Sequence, residues 1–178
     1  MHSSSIPILV VTGASGVGKT SAVLALAARS DPRVACFYFD SIGVPTPEAI
    51  ERDFGGGERW QAHATDQWIA RLVTEGSSTT VNVLDAQTRP SFVRAALARA
   101  SHSRSQIVLL DCASEIRRAR LVSRGQSDLA TSQMDLWAAY LRGQADALGL
   151  PVLETSRLSV AEVADALREI AETLRGEV

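Results

Sequence analysis

Apolar residues fall along this chain in two rhythms. Short unbroken runs, Ile6–Thr12, Val34–Phe39, Thr80–Leu84, Ile107–Leu110 and Val152–Leu153, alternate with longer stretches in which apolar positions recur every three or four residues. Most of the runs are rich in β-branched residues and bounded by turn formers, the pattern of strands buried on both faces. The helix-period stretches are Lys19–Arg29, Glu48–Glu75 with a break at Gly55-Gly56-Gly57, Ser91–Ala100, Glu115–Ser123, Gln133–Leu148 and Val160–Leu174. Two starts are marked chemically. Ser159 followed by Glu162 is a capping box, and Thr46-Pro47-Glu48 places an N-cap before a proline at the first helical position. Strand–helix alternation at this spacing predicts right-handed βαβ units, hence a three-layer α/β/α domain around a parallel sheet. Ligands of such sheets bind beyond the carboxyl ends of the strands, so chemistry is sought there.

Composition narrows the class. The 178 residues, 46% hydrophobic and 21% charged, suit one globular domain, and no repeat, low-complexity tract or linker divides residues 1–178. A net charge of −2 disfavours nucleic acid as a partner, because phosphate neutralisation supplies most of that affinity. Cys36 and Cys112 lie far apart inside apolar runs, and His2, His63 and His102 are scattered, so neither a disulfide framework nor a zinc site is expected. No apolar run approaches the roughly 18 residues of a membrane span. Ile6–Val11 is too short for the apolar core of a signal peptide and lacks a basic flank. These features predict a cytoplasmic protein without a membrane partner.

The sharpest chemical signal is Gly13-Ala14-Ser15-Gly16-Val17-Gly18-Lys19-Thr20, a full match to G-x-x-x-x-G-K-[ST] between a strand and a helix. Glycines let the backbone approach phosphate oxygens that amide N–H groups then bind at a helix N-terminus. Lys19 would supply a point charge to the β- and γ-phosphates, and Thr20 a magnesium ligand. Of the 18 basic residues Lys19 is the only lysine. Nucleotide bias accounts for most of that skew, yet the one lysine stands where the planar fork of arginine would not serve. The expected cofactors are ATP and Mg2+.

Several users of such a loop are excluded. Guanine recognition through Asn/Thr-Lys-x-Asp needs a second lysine, and there is none. The strand-end acids Asp40, Asp85 and Asp111 are followed by Ser41, Ala86 and Cys112, not by the glutamate that motor-like ATPases use to activate water. No Ser-Gly-Gly-Gln run is present either. What is left is phosphoryl transfer to a small acceptor. Asp40 is the candidate base or metal ligand, Asp85 a candidate magnesium ligand, and Asp111 reads as a loop cap.

Here the sequence resembles a family. Val-Leu-Asp-Ala-Gln-Thr-Arg (83–89) is similar to the strand-three end of nucleoside monophosphate kinases such as adenylate kinase, with Ala86 where that motif usually has glycine. The resemblance implies that Asp85 and Arg89 meet magnesium waters and phosphate, and that Gln87 and Arg89 border the acceptor. Residues 109–124 resemble the fourth strand and lid-entry helix of that group, which implies Arg120 over the nucleotide base and Arg124 on the transferred phosphate. Phe-Tyr-Phe-Asp-Ser (37–41) looks more like shikimate, gluconate and chloramphenicol kinases, where an Asp closing strand two takes the proton of the acceptor hydroxyl or helps hold magnesium. The family implies a five-stranded parallel sheet of order 2-3-1-4-5.

Residues 42–76 read as the acceptor-binding insertion, with Arg59 and Trp60 as candidate contacts, Trp68 as core and His63 as an ordinary surface residue. Arg117, Arg120 and Arg124 share a helix face and are expected to form an anion-facing stripe, with Arg118 pointing elsewhere. Residues 124–133 read as a short lid. Trp137 and Tyr140, with Leu136 and Leu141, fit core packing, and Arg142 is a further candidate for the site. The reading is an ATP- and magnesium-dependent kinase of a small molecule in which Lys19, Asp40 and Arg124 are catalytic. A nucleoside monophosphate kinase proper and a nucleotide-binding regulator are the alternatives. Sugar, antibiotic, nucleoside, nucleotide and other metabolites all stay open as acceptors.

Overall fold

A computed structural model describes residues 5–176. All five apolar runs are strands: β1 (Ile8–Thr12), β2 (Val34–Tyr38), β3 (Val81–Asp85), β4 (Ser105–Asp111) and β5 (Val152–Glu154). They form one parallel sheet in the order β2-β3-β1-β4-β5, the expected one. The helices are α1 (Lys19–Ala27), α2 (Pro47–Phe54), α3 (Gly57–Leu72), α4 (Pro90–Arg99), α5 (Ser114–Ser123), α6 (Ser132–Ala147) and α7 (Val160–Gly176).

Successive residues of the central strand feed opposite cores, because side chains alternate along a strand. Leu9 and Val11 pack under α1 and α7, with Ala138, Leu141 and Ala145 of α6 in the same cluster. Ile8 and Val10 pack under α3 and α4, around the fully buried Trp68. A strand covered on both faces is what an unbroken apolar run encodes.

Local signals hold at the helix ends. Thr46 accepts from the Ala49 N–H at 3.3 Å ahead of Pro47, and the Ser159 hydroxyl accepts from the Glu162 N–H at 3.2 Å while Glu162 accepts in return. The glycine break divides α2 from α3, with Gly55 left-handed at φ 69°. Two boundaries differ from expectation. Strand β4 begins at Ser105 because main-chain pairing with Ile8 and Leu9 continues through two residues that carry no apolar signal. Strand β2 stops at Tyr38, and Asp40 lies on the 3-10 turn Phe39–Ile42 that follows it. The Trp68 indole N–H donates to the Phe39 carbonyl at 2.9 Å and pins that turn over the sheet edge. Among the described residues no helix is long and apolar enough to cross a membrane.

Candidate active site

The phosphate loop is shaped by its contacts with β4 and α5. A Cβ on Gly13 would lie 2.4 Å from the Leu110 carbonyl oxygen, and one on Gly16 (φ 88°) 2.8 Å from Arg117 Cγ and 2.9 Å from its carbonyl oxygen. Only glycine fits either place. Gly18 caps α1 in the left-handed region at φ 101° and offers no side-chain acceptor. The first-turn amides of α1 therefore lack side-chain partners and carry the positive end of the helix dipole, an anion site made of main chain.

Lys19 is buried and donates through Nζ to the Ala14 carbonyl at 3.0 Å. Burial lowers its pKa to about 8; Asp85 and Asp40 oppose the shift and Arg124 adds to it. Asp85, buried at the end of β3, accepts from the Thr20 hydroxyl at 2.5 Å. Burial also raises the Asp85 pKa, against the pull of Lys19 and Thr20, and Asp40 raises it further. Among the described residues no group of three or more His, Cys, Asp or Glu could hold a metal alone. Magnesium does not require one, since it keeps waters and binds through one or two carboxylates together with phosphate oxygens. The Thr20–Asp85 pair could supply the oxygen donors for such an ion.

Four cavities open at the carboxyl edge of the sheet. One of about 190 Å³ over the loop is bordered by Ser15, Gly18, Lys19, Asp40, Gln87 and Arg124. A second of about 270 Å³ shares Lys19, Thr20, Asp40 and Gln87 and adds Tyr38, Phe39 and Asp85. On the other side of the loop a largely apolar cavity of about 180 Å³ runs between Gly18, Arg120 and Arg124 and the side chains of Leu158, Val160 and Val163. Arg120 frames it by donating to the carbonyls of Val17 (3.2 Å) and Thr155 (2.7 Å). Thr155 was not singled out from sequence, although its place just past β5 is the strand-end cue that marked Asp40.

The fourth and largest, about 480 Å³, lies between the start of α3, the segment after β3, the lid and α6. It shares Gln87 and Leu129 with the cavity over the loop, so the two are neighbours along one cleft. Arg89 borders it, donating to Gln61 Oε1 at 2.5 Å and Glu58 Oε2 at 3.2 Å, with its guanidinium 5.0 Å from the Trp137 ring centroid. Gln61 also donates to the Gln87 carbonyl at 2.9 Å, and Ser15 of the loop donates to the Gln87 side chain at 2.9 Å. A hydrogen-bonded path thus joins the phosphate loop to the large cavity. Glu58, Gln61 and Trp137 had no signature of their own in the chain.

Other candidates sit elsewhere. Arg59 is exposed beside Gly55, and Trp60 packs edge-on against Phe39; neither borders these four cavities. His63 is exposed against the Phe54 ring. The arginine stripe needs correcting: Arg117 is buried, not anion-facing, and pairs with Asp135, which Arg118 also bonds. The acid comes from α6, so spacing within α5 could not show it. Arg142 reaches Asp111 and Asp146 instead of the cleft, and Asp111 caps its loop by accepting the Cys112 N–H at 2.9 Å. Of the α6 quartet Leu141 is core and Trp137 is half-buried against it, whereas Leu136 is 72% and Tyr140 46% exposed. The lid segment carries Gly125 at φ 72° and the short 3-10 turn Ser127–Leu129.

No family model matches the chain, and no curated protein matches it. Solved structures do. A shikimate kinase from Acinetobacter baumannii aligns with a TM-score of 0.62 at 15% identity, covering 94% of each chain. The tunicamycin resistance protein of Deinococcus radiodurans aligns with a TM-score of 0.67 at 18% identity over 93% of this chain and 95% of that one. A gluconokinase from Sinorhizobium meliloti gives 0.59 at 18% identity, over 96% and 97%. The five-stranded parallel sheet and its covering helices are the fold that this chain shares with the shikimate kinase and the gluconokinase. At these identities the likeness carries the architecture, and the chemistry rests on the residues above.

Proposed function

We propose that the protein transfers the γ-phosphoryl group of ATP to a hydroxyl of a small molecule. The observation that carries this reading is a main-chain anion nest with a buried lysine, facing Asp40 across a cleft that continues into a 480 Å³ cavity. That the fold is shared with a shikimate kinase and a gluconokinase supports the same reading.

In this reading the loop amides and Lys19 hold the β- and γ-phosphates, and Thr20 and Asp85 are the residues that would hold magnesium. Magnesium, if bound there, would neutralise the charge that develops on the β- and γ-phosphates. The adenine would occupy the apolar cavity beside Arg120, and Arg124, which borders the cavity over the loop, would meet the transferred group. Asp40 accepts the proton of the acceptor hydroxyl as its oxygen bonds to phosphorus and the bond to the β-phosphate oxygen breaks, giving ADP. Positioning and charge stabilisation supply most of the acceleration in such transfers, so a modest base suffices. Closure of residues 124–133 would exclude water that would otherwise take the phosphoryl group.

The test is ATP consumption by Asp40→Asn against the parent protein in the presence of an active acceptor. Turnover is expected to fall by about 10²–10⁴, with the KM for ATP nearly unchanged. An acceptor that is itself a phosphate needs no such base, and full activity of Asp40→Asn would refute the hydroxyl reading. A nucleotide-dependent regulator would hydrolyse ATP at a rate no acceptor alters.

A further inference from the structure

We infer that the acceptor carries neither a carboxylate nor a phosphate, and is a hydroxylated neutral or amine-bearing molecule. This deepens the kinase reading and rests on it. The large cavity is bordered by the carboxylates of Glu58 and Asp128, the amides of Gln61, Gln87 and Gln133, and one cation, Arg89.

That cation is already committed. Its charge faces Glu58 at 3.2 Å and its NH1 edge faces Gln61 at 2.5 Å. Its plane is walled by the rings of Phe92, Trp137 and Tyr140, with centroids 5.1, 5.0 and 5.7 Å away, and its Nε is buried without a partner. An incoming carboxylate would have to displace Glu58 from Arg89 and then lie near two acids. Glu58 is largely exposed and yields at little cost, so what disfavours an incoming anion is the like charge of Glu58 and Asp128 around the lone Arg89.

The other cations nearby are placed for different work. Arg124 and Lys19 border the loop cavity, where the phosphates would bind. Arg142 is paired with Asp111 and Asp146, and Arg117 and Arg118 with Asp135. Asp128, by contrast, is exposed on the lid turn and has no ion-pair partner among the described residues. Trp137 Nε1 is a buried donor, also without an acceptor. The lining thus offers unspent acceptors at Asp128, amides that bond either way, and apolar walls from Leu129, Met134 and Trp137. Hydroxyls, amide groups and amines satisfy such a surface; an acid does not.

The experiment is acceptor-stimulated ATP consumption across a broad library of hydroxylated compounds sorted by charge, with shikimate, gluconate and AMP in the anionic class and sugar alcohols, nucleosides and amino sugars in the others. The expected result is that the highest kcat/KM belongs to a neutral or amine-bearing compound, exceeding its carboxylate analogue at least 100-fold. A best acceptor bearing a carboxylate or phosphate overturns this inference and leaves the kinase reading standing. No stimulation by any class, with ATP binding intact, overturns the kinase reading itself. Asp128→Lys, on an exposed turn, adds the missing cation and should raise kcat/KM for the carboxylate analogue at least tenfold; no gain would count against the assignment of charge.

Discussion

The two ends of the cleft are built differently. At the loop end the ligand-facing groups are main-chain amides held by glycines, one buried lysine, and a threonine–aspartate pair at 2.5 Å. At the acceptor end they are side chains from α3, the segment after β3, the lid turn and α6, held by Arg89. A main-chain site tolerates almost no change, because a Cβ at Gly16 would sit 2.8 Å from Arg117. A side-chain site can be rewritten one residue at a time. On the kinase reading proposed above, the loop end would hold the phosphoryl donor and the side-chain end the acceptor, and the two ends should respond to mutation by different amounts.

The largest effect should come from the loop. Lys19→Ala is expected to lower turnover by about 10³-fold or more, since a single preorganised charge at a developing oxyanion is worth that much. The fold should persist, because Lys19 is a desolvated cation in the nucleotide-free protein and its loss removes a burial cost. Lys19→Arg is the sharper control. Its planar fork does not fit a point-charge role, so it too should be inactive. ATP consumption read beside a circular dichroism melt checks both; activity in either variant near the parent level would remove the loop from the mechanism.

The same contrast explains what could be read before any coordinates. The loop was legible because its constraints are consecutive: glycine spacing, the lysine and the flanking strand and helix lie in one short segment. The strands followed from unbroken apolar runs, and their order from the kinase resemblance. Of the large cavity only Gln87, Arg89 and the lid segment were legible; Glu58, Gln61 and Trp137 join them only after α3 and α6 have packed beside the sheet edge. Arg117 shows the same limit from the other side. Its partner Asp135 lies on another helix, so spacing within α5 put Arg117 in an anion stripe with Arg120 and Arg124, whereas folding turns it inward to a half-buried ion pair.

A pH titration probes the loop more gently. Burial lowers the Lys19 pKa to about 8 in the free protein, and a bound polyphosphate would raise it again by adding negative charge. Above pH 8 ATP must therefore bind with uptake of a proton. Affinity should be flat just below pH 8 and weaken by up to about tenfold per unit above it, until the pKa of the complex is reached. Calorimetry in buffers of different ionisation enthalpy would show the proton uptake. Acceptor binding has no such lysine, so its affinity should not follow the same curve; parallel curves for the two ligands would break the division drawn between the ends.

The smallest effect belongs to the path between them. Gln61 receives Arg89 and donates to the Gln87 carbonyl, so Gln61→Ala removes two hydrogen bonds worth about 1 kcal/mol each. Alanine is the better helix former, which offsets part of the loss. The melting temperature should drop by about 3–7 °C. Arg89, freed on one edge, would lose its fixed angle against Trp137 and Tyr140. The acceptor KM should then rise several-fold while the ATP dissociation constant stays within about twofold, because Ser15 still bonds the Gln87 side chain. If ATP affinity fell as far as acceptor affinity did, the cleft would be one coupled unit and not a fixed donor site beside a variable acceptor site.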